Sequence, residues 1–204
     1  DDGTPLGSHT NEECKIDSIA QSWSVLSKAG DENKIHVALH SAENYLVKKD
    51  SGLIQLFDPP FDHSALNPGY IKGYVPGVRE NGGQYTHAAI WLVMAFAAVG
   101  DTQKTWALLQ MINPLNRGDT PEKIRVYKTE PYVMAADVYA EPLHKGQGGW
   151  TWYTGSAGWM YQLMLESFIG LQRMGSTLHF KPCIPNEWKT FDMTYHYQSG
   201  LYQI

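Results

Sequence analysis

The chain has only two cysteines among its 204 residues, Cys14 and Cys183. That is too few, and they lie too far apart, for a disulfide scaffold or a cysteine-based metal site. Both read as ordinary thiols. Long apolar runs are missing as well: none approaches the roughly 20 residues of a membrane-spanning helix, and no basic stretch followed by an apolar one opens the chain as a secretory signal would. Positive charge is scattered and never forms a block. With a formal net charge of -5, nothing concentrates the positive potential that nucleic acid or an anionic membrane would require. Metal-ligand spacings, a lysine-bearing phosphate loop and a nucleophile elbow are also missing, so neither a metal nor an organic cofactor is expected.

What is present fits a globular domain. A hydrophobic fraction of 43% against 18% charged residues can bury one sizeable core and argues against disorder. Seven tryptophans and twelve tyrosines suit either a groove that stacks on sugar rings or a large aromatic core, and composition does not separate the two.

The opening residues 1–8 are loop chemistry without a start methionine, and the chain is expected to begin inside a domain. Apolar residues recur at helical spacing from Cys14 to Ala29, and Gly30-Asp31 stops that helix and starts a second, which runs to about Val47. Leu53 to Phe57 reads as a strand closed by Pro59-Pro60. A long Gly/Pro/Asn-rich stretch, 59–83, follows, of a length that points to a functional loop. Further helices are predicted over 85–99 and 102–112, then a short one through Val126 opened by Asp119-Thr120-Pro121-Glu122. A glycine-rich loop at 145–149 precedes a long helix from about Ser156 to Arg173. Thr177–Phe180 and Met193–Tyr197 then read as strands. Paired helices with functional loops at one end predict a toroid of helical hairpins, although no exact repeat is visible.

Two segments carry the chemistry. Arg79-Glu80-Asn81-Gly82-Gly83, followed by His87, gathers a cation, a carboxylate, amides and an imidazole just before a helix. Arg79 can grip planar oxyanions and Glu80 can accept from a pair of sugar hydroxyls. His87 lies about one turn into the helix, near the end that favours anions. The second segment, Gly148 to Trp159, begins a helix with Thr154, Gly155 and Ser156, whose unpaired amides and hydroxyls make a phosphate-sized site. Read blandly, Arg79 and Glu80 merely pair across a loop, His87 is a core histidine, and Thr154 or Ser156 is a simple cap. Glu130 and Asp137, seven positions apart, are a third candidate that packing explains equally well. Asp62-His63 and His144 read as solvated loop residues.

These residues resemble glycoside hydrolase family 94, the inverting phosphorylases of cellobiose, chitobiose and β-1,2-glucans. Glu80-Asn81-Gly82-Gly83 with His87, Glu130-Pro131-Tyr132-Val133, and Thr154-Gly155-Ser156-Ala157-Gly158-Trp159 stand in the family's order. Asp17 to Trp23 and the long form of Gly146 to Trp159 are most similar to the branch formed by the phosphorylase domains of cyclic β-1,2-glucan synthases, which are large bacterial membrane proteins. The resemblance implies a mainly α fold. Residues 1–174 would form the second half of an (α/α)6 barrel and 175–204 a carboxyl-terminal β-segment.

It also implies that His87, Thr154 and Gly155 bind inorganic phosphate as co-substrate, with Ser156 the nearest alternative donor, and that Glu80, Arg79, Trp152 and Tyr153 bind a β-glucan oligosaccharide. The family's general acid is an aspartate in a segment expected upstream of residue 1. No catalytic residue is therefore assigned within the chain, Asp1 and Asp2 are not that acid, and the chain alone is expected to be inactive. The missing half of the domain is the implied protein partner. The implied location is cytoplasmic, with the soluble domain of an inner-membrane protein as one setting. An inverting hydrolase on the same barrel and a carbohydrate-binding remnant stay open beside the phosphorylase.

Overall fold

The computed structural model describes Gly3 and residues 5–204, so Asp1 and Asp2 lie outside the described residues. A two-residue strand, β1 (Ile16–Asp17), leads into α1 (Ser18–Leu26). This helix starts later than the apolar spacing predicts, because the Asp17 carboxylate accepts the Ile19 and Ala20 amides at 2.7 and 3.2 Å and so caps it. The residues before it are drawn out instead, with the Cys14 and Lys15 amides donating to the Pro59 and Asp58 carbonyls at 2.7 and 2.9 Å. Asp31 caps α2 (Glu32–Leu46), as the Gly30-Asp31 junction predicts.

The single strand expected over 53–57 is two. β2 (Val47–Lys48) pairs with β3 (Leu53–Ile54), and β4 (Phe57–Asp58) pairs with β1, both antiparallel, so each half follows a different partner. After the long loop, β5 (Gln84–Tyr85) enters α3 (Thr86–Ala98), and α4 (Thr102–Ile112) follows under an Asp101 cap. Thr120 caps α5 (Pro121–Tyr127), with Pro121 at the first turn. β6 (Asp137–Val138) returns to pair with β5. Next comes α6 (Thr154–Gln162), which continues as a π-helical turn over Leu163–Phe168.

The sequence predicts that this last helix reaches Arg173, but Gly170 ends it. Gly170 has φ +80°, and a Cβ there would sit 2.2 Å from the Lys181 carbonyl, so the chain turns at the one residue that fits. Leu171 to Arg173 therefore belong to a hairpin of β7 (Leu171–Met174) and β8 (Thr177–Phe180). A second hairpin pairs β9 (Thr194–Tyr197) with β10 (Gly200–Gln203).

The chain is mainly α, and α3 is its centre. Nine of its 13 residues are buried, as expected of a helix that is apolar on every side. It packs against α1, α4 and α6, while α2 covers α1. Ile90, Leu92 and Val93 are completely buried in the core this forms. No described helix is long and apolar enough to cross a membrane.

The loop 59–83 is not loose. Phe61 packs edge-on to Phe57 at 5.3 Å, over a small core with Cys14, Leu56 and Ala88. Glu13 clamps the loop from below: its carboxylate accepts the His63 and Ser64 amides at 2.7 and 3.1 Å and the Ser64 hydroxyl at 2.5 Å. Burial works to raise this carboxyl's pKa, but those donors outweigh it and hold the group at about 2. A depressed carboxyl stabilises the fold fully above its unfolded value near 4.5 and stops doing so as pH falls toward about 2. Glu13→Gln should thus cost on the order of 1–2 kcal/mol at neutral pH. It should also flatten the fall in stability between those two values, as read by denaturant unfolding across the acid range.

Candidate functional site

The starts of α1, α3 and α6 share a pattern. Each has a tryptophan six residues after its cap: Trp23 after Asp17, Trp91 after Tyr85, and Trp159 after Tyr153, each tryptophan 68 residues beyond the last. The sequence reads Tyr-Thr-x-x-Ala-x-Trp at both 85–91 and 153–159. In space the three indoles form an edge-to-face ladder, with centroids 5.3 Å apart for Trp23–Trp91 and 5.4 Å for Trp91–Trp159. The ladder holds the three helix starts in register.

Their caps differ. Asp17 fills the amino terminus of α1, whereas Tyr85 and Tyr153 give α3 and α6 no side-chain cap. In α6 the first helical bond is from the Ala157 amide to the Tyr153 carbonyl, at 3.1 Å. The amides of Thr154, Gly155 and Ser156 precede it and have no carbonyl within the helix. Thr154 and Gly155 are exposed. Ser156 is buried and donates its hydroxyl to the Tyr153 and Ala135 carbonyls at 3.1 and 3.3 Å. Its hydroxyl is a local lock, turned away from the open face that Thr154 and Gly155 present.

His87 stands on the second residue of α3 within an aromatic box. Its ring lies 4.3 Å from Trp91, 5.6 Å from Trp159, and stacked at 6.4 Å on Tyr85. Its Nε2 is sealed from solvent with no partner among the described residues, and so is the indole nitrogen of Trp91. Burial lowers the His87 pKa below the ordinary value of 6.5 and keeps the imidazole neutral at pH 7. The adjacent Tyr85 phenol is pushed up to about 12 by burial and by the neighbouring Tyr153 hydroxyl.

The Arg79-Glu80 turn lies beside this box. Arg79 adopts φ +50°. Its amide donates to Asp137 Oδ2 at 3.1 Å, and its Nε donates to Glu80 Oε2 at 3.4 Å. The guanidinium lies over the Tyr74 and Trp150 rings at 5.4 and 5.3 Å. Burial works against its charge, but Glu80, Tyr74 and Asp137 outweigh that and raise its pKa. Asn81 is a fold residue: fully buried, it bonds the Phe61 amide and the Phe61 and Tyr74 carbonyls, each at 2.8 Å.

The structure parts Glu130 from Asp137. Glu130 accepts the Trp152 indole N–H at 3.2 Å near the surface. Asp137 is buried on β6, where burial raises its pKa against the opposing effects of Arg79's amide and charge, and its Oδ1 has no hydrogen-bond partner. Residue by residue, Asp137 stands opposite Tyr85 in the β5–β6 ladder. Its carbonyl accepts the Gly149 amide at 2.9 Å. It joins the Arg79 turn, the start of α3 and the glycine-rich loop, a role that its place in a polar cluster does not betray.

Arg79 and Glu80 thus come together, and Tyr85 links His87 to Tyr153, which Thr154 and Gly155 follow at the head of α6. Trp152 stands at the rim, two-thirds exposed. Glu80, His87 and Tyr153 are half-buried, while Thr154 and Gly155 are exposed. Two clefts of about 600 and 770 Å³, around Lys48 and Arg117, do not include His87, Glu80 or Thr154 among their walls. Among the described residues, no three His, Cys, Asp or Glu are grouped to hold a metal ion.

Comparison with known proteins identifies the family. The family described as glycosyl hydrolase 94 superfamily, catalytic domain, matches residues 1–170. Cyclic beta-(1,2)-glucan synthase NdvB of Rhizobium meliloti is 49% identical over 188 residues, 92% of this chain and 7% of that protein. Solabiose phosphorylase of Paenibacillus borealis is 26% identical over 206 residues, 100% of this chain and 26% of that protein. The 1,2-beta-oligoglucan phosphorylase of Listeria innocua is 27% identical over 123 residues, 53% of this chain and 11% of that protein.

The Asp137 junction makes a prediction about two glycines. A Cβ at Gly149 would lie 2.1 Å from Asp137 Oδ1, whereas nothing stands within 4 Å of one at Gly158 in α6. Gly149→Ala should destabilise by about 1–3 kcal/mol, and Gly158→Ala should be neutral or stabilise by up to about 1 kcal/mol. Chemical unfolding of both variants checks the contrast.

Proposed function

The chain belongs to the glycosyl hydrolase 94 superfamily, and on that premise we propose that it is part of a glycoside phosphorylase domain cleaving β-1,2-glucan chains with phosphate and inversion. The product is α-glucose 1-phosphate, formed reversibly. The domain is an (α/α)6 barrel to which this chain contributes the helices around α3. The observation that carries this reading is the neutral, boxed imidazole of His87, packed on Trp159 of α6, the helix whose start leaves the amides of Thr154 and Gly155 open. The uncapped start of α6 offers N–H dipoles where a small anion is favoured, and the start of α3, in register with it, carries His87.

The chemistry follows from an inverting displacement. A carboxylic acid gives its proton to the leaving oxygen, while the nucleophile forms its bond to the anomeric carbon from the opposite face. Phosphate is already nucleophilic and needs positioning more than deprotonation, so donors serve it better than a base. His87, Thr154 and Gly155 supply those donors. Glu80 accepts from sugar hydroxyls, with its charge oriented by Arg79; Tyr153 offers a ring face to the reacting sugars and Trp152, at the rim, one to the glucan chain beyond them. The acid comes from outside these residues, and no cofactor is required beyond phosphate itself. A cytoplasmic setting, attached to an inner membrane, belongs to the same proposal.

Two observations favour this over a hydrolase. A hydrolytic base needs a carboxylate free to take a proton from water, but Glu80 is engaged by Arg79 at 3.4 Å. Glu130 is held near the surface by the Trp152 indole.

The proposal makes His87 responsive to phosphate. Without an anion, burial keeps its pKa below 6.5; a bound phosphate favours the imidazolium and moves it upward, so binding takes up a proton. Proton NMR of the His87 ring across pH, with and without phosphate, should show that rise. His87→Ala should lower phosphate-dependent kcat/KM by on the order of 100-fold. A His87 resonance indifferent to phosphate would contradict the assignment.

A further inference from the structure

Trp152 sits where the fold has no use for it. Its backbone has φ +59°, a conformation that L-residues with bulky side chains avoid and glycine adopts freely. The residue is 67% exposed, so it adds little to the core. A strained backbone that displays an apolar ring to water marks a position kept for contact with something outside the fold.

Its neighbours complete a surface. The Tyr132 ring, 70% exposed, stands 6.3 Å from the Trp152 ring and at 76° to it. Glu130 takes the Trp152 indole N–H at 3.2 Å, which fixes the orientation of that ring. The carboxyl's pKa is lowered by its own backbone amide and by that indole, so it is ionised at neutral pH. Two rings at a steep angle to each other, with a carboxylate on the edge of one, match the C–H faces and hydroxyl edges of linked sugar residues. A phosphate or other anion would be repelled by Glu130. The surface is also continuous with the candidate site: Trp152 precedes Tyr153 and Thr154 in the chain, and Arg79 lies over Trp150 at 5.3 Å.

We propose that Tyr132, Trp152 and Glu130 form an outer subsite that holds a neutral glucan chain beyond the residues undergoing reaction. The identity of the sugar rests on the phosphorylase reading above, while the subsite rests on the exposed rings and their carboxylate. Such a subsite sets preference for chain length. It strengthens binding of oligosaccharides long enough to reach it and leaves a disaccharide unaffected.

The test uses the full-length protein that carries this chain, with linear β-1,2-linked glucan oligosaccharides and the corresponding disaccharide. Binding is followed by calorimetry without phosphate, and turnover is followed with phosphate. Tyr132→Ala and Trp152→Ala should each weaken the longer glucan about tenfold and remove most of its advantage over the disaccharide in kcat/KM. Tyr132→Phe and Trp152→Phe, which keep a ring, should retain most of the affinity. Equal losses for both chain lengths, equal losses in the Phe and Ala variants, or unchanged binding would each overturn the subsite. If the wild-type protein binds the longer glucan through these rings but forms no phosphate-dependent product, the proposed function fails while the subsite stands.

Discussion

The segment Met134 to Val138 is the seam on which the candidate site depends. The Met134 carbonyl accepts the Tyr153 amide at 3.3 Å, ahead of α6, and the Ala136 carbonyl accepts the Thr86 amide at 2.9 Å, at the head of α3. The Ala136 amide donates to the Trp150 carbonyl at 2.6 Å, and the Asp137 carboxylate holds the Arg79 amide. Four parts of the surface therefore hang on one short extended stretch. Backbone groups buried in such a place must find partners, and here the partners are the elements that carry the candidate phosphate and sugar ligands.

Above that seam, the tryptophan ladder sets the level of the helices. Trp91 meets Trp23 and Trp159 at nearly the same distance and at the same interplanar angle of 83°. Of the three helix starts held in register, α1 is filled by Asp17 and the Thr86 amide of α3 is taken by the Ala136 carbonyl, so the exposed, uncapped amides are those of Thr154 and Gly155 at α6. Packing thus sets the level at which the uncapped start of α6 and the His87 end of α3 stand, and an uncapped helix start is where an anion is favoured.

Much of this was legible in the sequence, and the misses have physical causes. The Asp31, Asp101 and Thr120 caps and the helices they open follow from local chemistry, which acts within a few residues. Asp17 also caps a helix, but apolar spacing before it hid the boundary, since Cys14 and Lys15 are held by Asp58 and Pro59 far along the chain. The end of α6 depended on a contact between Gly170 and Lys181 that no local window contains. Glu80, Arg79, His87, Thr154 and Gly155 were marked by residue type and by family resemblance. Ser156 belonged to the same cluster by type, yet its hydroxyl turns inward. In the sequence Asp137 reads only as a carboxylate, because its place opposite Tyr85 is a tertiary fact. The 68-residue spacing of Trp23, Trp91 and Trp159 was available throughout. Only the tryptophan runs through all three repeats, and the fuller Tyr-Thr-x-x-Ala-x-Trp match joins just 85–91 and 153–159, too sparse a signal to stand out as a repeat.

The central claim is that the surface around His87 handles phosphate as the attacking group. The most direct measurement is 31P NMR of the full-length protein acting on a linear β-1,2-glucan, in phosphate buffer and in a phosphate-free buffer. The account predicts a growing signal of α-glucose 1-phosphate in the first and no shortening of the glucan in the second. Free glucose released at the same rate in both buffers, with no phosphate ester formed, would contradict it.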